Sequence, residues 1–230
     1  MPYFFYFFDP TMLIVLPALI FTIWAQMNVD STYKKYSKVT VSHRMTGYDS
    51  ARRILDANGL YDVKIERIGG HLTDHYDPRT NVIRLSESVH DACSAAAIGV
   101  AAHEAGHAVQ HAKGYTPIKI RQAIIPVTRI GSGLAMPLFI IGLFAALPAL
   151  MYMGIIFYSL AVIFQLVTLP VEFNASNRAM EALDSSGMLS DEELKASRKV
   201  LTAAAMTYVA ALATSLLSLL RLLLIANRRR

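Results

Sequence analysis

Charged side chains are scarce: 17% of the 230 residues carry charge and 54% are hydrophobic. Ordinary soluble domains are about 25% charged and about 45–50% apolar. The deficit excludes a disordered chain, which is poor in apolar residues, and argues against a purely soluble globule. Cysteine is nearly absent, with Cys93 alone. That excludes an intramolecular disulfide framework and a thiolate zinc cluster, both of which need several cysteines. The third absence is local. Asp, Glu, Lys and Arg are missing from the 20 residues Pro10–Val29, the 42 residues Ile130–Val171 and the 21 residues Val200–Leu220.

A bilayer core about 30 Å thick needs about 20 apolar residues of helix. The three runs therefore predict a multi-pass membrane protein of 3–4 spans. The middle run is long enough to cross, turn near Met151–Gly154 and cross back, with Pro137, Pro148 and Pro170 kinking or ending its helices. No basic stretch precedes the first run, so it reads as a retained anchor and not a cleaved signal. Tyr3 to Phe8 and Trp24 lie near its two ends, where interfacial rings are favoured. The last run, with Arg221 and the terminal Arg228, Arg229 and Arg230, either spans or lies partly in the interface.

Residues 30–129 carry 14 basic and 10 acidic side chains, a normal soluble density. Lys34, Lys35, Lys38, Arg121 and Arg129 flank the spans, whereas residues 1–9 and the hairpin tip carry no Lys or Arg. The positive-inside rule places this segment in the cytoplasm. Five regions follow: an anchor over 1–29, a polar region over 30–129, a helical hairpin over 130–170, a helix and connector over 171–199, and an apolar helix with a basic tail over 200–230.

The polar segment reads as a small, mostly helical α+β unit. Thr46 caps a helix over Gly47–Ala57, which Asn58-Gly59 ends. Tyr61–Glu66 alternates like a half-buried strand, and Asn81–Leu85 reads as a second. Ser86 or Ser88 then caps one long Ala-rich helix from about Glu87 to Lys113, stopped by Gly114. Beyond the hairpin, a helix over Val171–Ser185 meets a turn at Ser186-Gly187, and Ser190 with Glu193 forms a capping box for the next helix.

The long helix carries His103-Glu104-Ala105-Gly106-His107. Two His at i and i+4 face one side of a helix and can grip one zinc ion, while the intervening Glu reaches its water as general base. The competing reading is a helix with two solvated histidines. A catalytic zinc needs a third protein ligand. His111 lies two turns, about 12 Å, from His103 and cannot join it on a straight helix; it reads as a rim residue. His71 and His75 lie in a Gly-, Thr-, Asp- and Pro-containing stretch, as cleft or loop residues. Glu172 is the better third ligand, because two crossings return the chain to the face that holds the His pair. Its alternative is a helix N-terminal acid stabilised by the dipole.

The motifs Phe8–Leu13, His71–Thr80, His103–His107 and Leu169–Ser176 together resemble the YugP-type neutral zinc metallopeptidases of bacterial membranes, over nearly the whole chain. The chain is more distantly similar to the HtpX-like and prenyl-protein membrane proteases. The resemblance implies a zincin-like helix–strands–active-helix core joined to the membrane bundle. It implies Zn2+ held by His103, His107 and Glu172, with Glu104 as catalyst. Ser176 stands where the distant relatives have Asp, a residue that orients a ligand His; Ser176 is a weaker substitute.

The expected activity is hydrolysis of a protein or peptide substrate at the bacterial cell membrane, in membrane protein quality control. Glu104 would take a proton from the attacking water and deliver it to the leaving amine. His71, His75, Tyr76, Tyr115 and Arg178 are candidates to steady the oxyanion. The strand before the active helix is expected to be an edge strand that pairs with an extended substrate. The rival reading is a catalytically silent zinc-binding membrane scaffold or chaperone, against which the intact Glu104 argues. A metal transporter would want ionisable residues within the spans, and the 42-residue run has none. No basic patch interleaved with aromatics supports nucleic-acid binding.

Overall fold

A computed structural model describes residues 10–228. The aromatics Tyr3 to Phe8, to which the sequence assigns an interfacial role, and the terminal Arg229 and Arg230 lie outside the described residues. In chain order the helices are α1 (Met12–Tyr36), α2 (Gly47–Ala57), α3 (Glu87–His90), α4 (Ala95–Ala112), α5 (Thr116–Phe144), α6 (Pro148–Ser185) and α7 (Asp191–Asn227). Between α2 and α3 lie the strands β1 (Lys64–Ile68), β2 (His75–Asp77) and β3 (Val82–Ser86). The chain is mostly helical. Among the described residues four helices, α1, α5, α6 and α7, are long and apolar enough to cross a membrane.

The chain divides into two compact units. The first comprises residues 10–25, 120–169 and 207–228 of the described chain. Here small residues bring helices together, as in membrane bundles where lipid supplies no hydrophobic drive. A Cβ on Gly154 would fall 2.7 Å from Ala135 O, and one on Gly142 would fall 2.6 Å from Met151 N. Phe139, Met151, Ile155, Leu222 and Ala226 form its buried cluster. Large apolar side chains such as Ile20, Ile130, Phe144 and Ile156 point outward, as a lipid-facing surface requires. Arg221 donates from Nε to Thr11 Oγ1 at 3.2 Å, which gives this intra-helical charge a polar neighbour.

The hairpin turns at residues 145–147, not near Met151–Gly154. Pro148 occupies the first helical position of α6, where its missing N–H costs nothing. Ala146 takes the left-handed conformation that reverses the chain (φ 54°). Pro126, Pro137 and Pro170 are all carried inside helices. A second correction concerns Val171: no helix starts there, because α6 runs unbroken through Pro170 to Ser185. Likewise α7 continues from its Ser190–Glu193 cap to Asn227.

The second unit comprises residues 26–119 and 170–206. Thr46 caps α2 and forms a capping box with Asp49, so Ile54 and Leu55 face the core. The sheet order is β1-β3-β2, with β1 parallel and β2 antiparallel to β3. The strand expected at an edge is therefore the central one. Ile83 and Leu85 of β3 are fully buried, and both its flanks are paired, so it has no free edge for a substrate. The one long helix expected over Glu87–Lys113 is two. The chain breaks after α3 because Val41 N bonds Cys93 O and Ala95 N bonds Val39 O, pulling residues 92–94 out of helical geometry. Ser94, not Ser86 or Ser88, caps the active helix by accepting from Ala97 N. The Ser86 hydroxyl is instead bonded to Asp74.

Around α4 lies the main core, built from Ile54, Leu55, Ile83, Leu85, Val89, Ile98, Leu183 and many alanines. Small side chains along α4 let its neighbours approach closely. Ser197 Oγ donates to Ala95 O at 2.7 Å, and Gly99 faces Ser197.

Candidate metal centre

α4 presents His103 and His107 one turn apart, with their rings 4.7 Å apart and nearly perpendicular. Opposite them, Glu172 of α6 is buried, with 2% exposure. Its Oε2 lies 3.3 Å from His103 Nε2 and 3.4 Å from His107 Nε2. These three residues form a group whose ligand atoms all lie within 4.8 Å of one another. All three belong to the second unit.

The spacing suits zinc. Two donors each about 2.0–2.1 Å from a tetrahedral ion stand about 3.3–3.4 Å apart. Two nitrogens and one carboxylate oxygen are a borderline-soft donor set of the kind that catalytic zinc takes with one position left open. Since Glu172 sits mid-helix, the dipole of a helix N-terminus does not account for its buried charge.

Electrostatics tie the group together. Burial alone would push the His107 imidazole down, but Glu172 and Glu104 outweigh it and hold His107 above its ordinary value. Glu104 follows His103 on α4 and is buried, with 8% exposure. The Asp74 carboxyl, just before β2, is held above its ordinary value, first by burial and then by the charge of Glu104, against the bonds it accepts from Ser86.

The other sequence candidates divide. Ser176 Oγ lies 3.1 Å from His103 Nδ1. His111 stands edge-on to Tyr76 at 6.1 Å, outside the three-residue group. His75 Nδ1 contacts Thr73 O, and His71 packs edge-on to Tyr33. Tyr76 donates to Asn81 Oδ1. Arg178 donates from Nε to Asn174 Oδ1 at 2.8 Å. Tyr115 follows α4 and is half-buried. Two residues passed over in the sequence stand beside the metal-ligand candidates. Gln110 is fully buried, with Oε1 3.0 Å from His107 Nδ1, and Asn174 accepts from Gln110 Nε2 at 3.0 Å. The available signal was spacing: Gln110 is three residues beyond His107, on the same helix face.

Comparison with known proteins shows the family. Residues 11–227 match the family model described as "Putative neutral zinc metallopeptidase". The chain is 50% identical over 212 residues to the "Putative membrane protease YugP" of Bacillus subtilis (strain 168), covering 92% of this chain and 94% of that protein. No solved structure matches the chain. A match spanning nearly every described residue, on a chain that gathers two His and a Glu in one compact group, places this protein in the neutral zinc metallopeptidase family.

Proposed function

We propose that the protein is a membrane-integrated zinc metalloendopeptidase that hydrolyses proteins or peptides at the bacterial cell membrane, in membrane protein quality control. The observation that carries this reading is the group His103, His107 and Glu172, spaced for one zinc, with Glu104 one residue from the first ligand. In this reading residues 30–129 and 171–199 supply a zincin-like catalytic region on the cytoplasmic side, and the apolar runs anchor it.

A zinc ion bound there would supply Lewis acidity toward the scissile carbonyl and the attacking water. His103, His107 and Glu172 would hold that ion. Glu104 accepts a proton as the water oxygen bonds to the carbonyl carbon. It then returns the proton to the amide nitrogen as the C–N bond breaks, so that a carboxylic acid and an amine leave. Burial of Glu104 keeps bulk water from competing for that proton.

The test is cleavage of casein and of a misfolded membrane protein by the purified chain and by Glu104→Gln. Loss of cleavage in the variant, at unchanged zinc content, supports the peptidase. Zinc in both proteins with cleavage in neither favours the silent scaffold. For topology, cysteines placed within residues 60–80 in a Cys93→Ala background should resist an impermeant thiol reagent in intact cells; labelling from outside would reverse the orientation.

A further inference from the structure

His103 and His107 are held from behind by different chemistry. His103 Nδ1 faces the Ser176 hydroxyl, which can donate or accept, so that contact selects neither tautomer. His107 Nδ1 faces the side-chain amide of Gln110. An amide has one end that accepts and one that donates, and which end points where is decided by the surrounding hydrogen bonds.

Those bonds leave one solution. Gln110 Nε2 lies 2.8 Å from Val171 O and 3.0 Å from Asn174 Oδ1. Val171 O is a backbone carbonyl and only accepts, so the donating end of Gln110 must point there. Asn174 Oδ1 is fixed in turn by Arg178, whose Nε approaches it at 2.8 Å. A guanidinium has donors and no acceptor, so Asn174 must turn its oxygen toward it. Gln110 therefore offers Oε1 to His107, and Oε1 only accepts. An Nδ1–H satisfies Oε1, and in the neutral ring it leaves Nε2, 3.4 Å from Glu172 Oε2, without a proton and open to the metal. Flipping Gln110 would set its oxygen against two acceptors, Val171 O and Asn174 Oδ1, losing both bonds in a fully buried position.

We infer that Arg178, Asn174 and Gln110 form a polarity lock that holds His107 in the Nδ1–H tautomer, with Nε2 available to the metal. They are positioning residues for the zinc site, and the inference rests on the zinc reading above. The lock joins two helices: Gln110 on α4, and Asn174 and Arg178 one turn apart on α6. Arg178 thus acts by fixing a metal ligand through two intermediaries. Residues that orient a ligand in this way are typically worth about 10–100-fold in metal affinity.

Two readouts separate this role from mere packing. The first needs no metal: imidazole 15N chemical shifts of His107 in the metal-free protein, at a pH where the ring is neutral. Wild type should show a protonated Nδ1 and a bare Nε2. Gln110→Met, of similar volume, should move the proton toward Nε2. The second is the zinc dissociation constant from competition with a chelator. Gln110→Met should weaken it about 10–100-fold, Arg178→Leu should weaken it by less, and Arg178→Lys, which keeps a donor, should recover most of the loss. Arg178→Leu carries the test if Gln110→Met does not fold. An unchanged His107 tautomer and a zinc affinity within about twofold of wild type in the folded variants would overturn the lock. Failure of wild type to bind zinc, with the Nδ1–H tautomer present, would instead overturn the metallopeptidase reading and leave the lock standing.

Discussion

Gly106 and Ala175 meet backbone to backbone: a Cβ on Gly106 would fall 2.6 Å from Ala175 O. This is the point where α4 and α6 approach closely enough for a carboxylate three residues before Ala175 to reach both His103 and His107. Gly106→Ala would gain about 1 kcal/mol of helix propensity. It must also displace a backbone carbonyl, and overpacking of that kind costs about 1–3 kcal/mol. We expect a lower thermal midpoint and weaker zinc binding. Gly133→Ala on α5, with nothing within 4 Å, should leave both intact or raise the midpoint.

The charge of His107 should make metal-free and zinc-bound protein respond to pH in opposite directions. Its folded value lies above the ordinary one, so its pairing with Glu172 and Glu104 stabilises fully below about pH 6.5. That contribution is lost as pH rises through the raised value. Zinc requires the deprotonated imidazole nitrogen, so zinc affinity should climb over the same interval. Melting curves from pH 5.5 to 8.5, with and without zinc, check both signs. His107→Gln should flatten the metal-free trend.

Asp74 has the opposite sense for a carboxyl. Burial and the nearby Glu104 raise its folded value, so the folded state binds its proton more tightly than the unfolded chain does. Stability from this group is gained as pH falls through the raised value and is absent above it. Asp74→Asn should therefore be neutral or stabilising at pH 7–8, since an amide oxygen can still accept from Ser86 N. Asp74→Ala should cost about 1–3 kcal/mol by orphaning the Ser86 N–H, now 2.7 Å from Asp74 Oδ1.

The break before the active helix makes Ser94 its cap. Ser94→Ala removes the acceptor for Ala97 N and should cost about 0.5–2 kcal/mol. Ser88→Ala touches no cap of α4 and should cost less. Denaturation of the two variants side by side decides where the helix begins.

Much of this was legible in the residues, because local signals and chemistry coincide there. Thr46 with Asp49, Ser190 with Glu193, and the uncharged runs each announce themselves by spacing and composition. His103 and His107 share a helix face by periodicity alone. Long-range pairing was harder to read. The capture of residues 92–94 by residues 39–41 comes from a partner some fifty positions away, and it splits a stretch that helix propensity joins. Strand β2, three residues among Thr, Asp and Pro, is too short for a period-2 pattern, so β3 looked like an edge. The hairpin turn moved because Pro148 suits a helix start as well as a helix end. Gln110 was silent because an amide on an Ala-rich helix has no signature until its partners on α6 are in place.

Zinc content measured in the purified wild type, Glu104→Gln and Glu172→Ala proteins bears most directly on the central claim that His103, His107 and Glu172 hold one catalytic ion. Wild type and Glu104→Gln should each retain one zinc per chain through gel filtration, and Glu172→Ala should lose most of it. A folded Glu172→Ala protein that keeps one zinc per chain would contradict it.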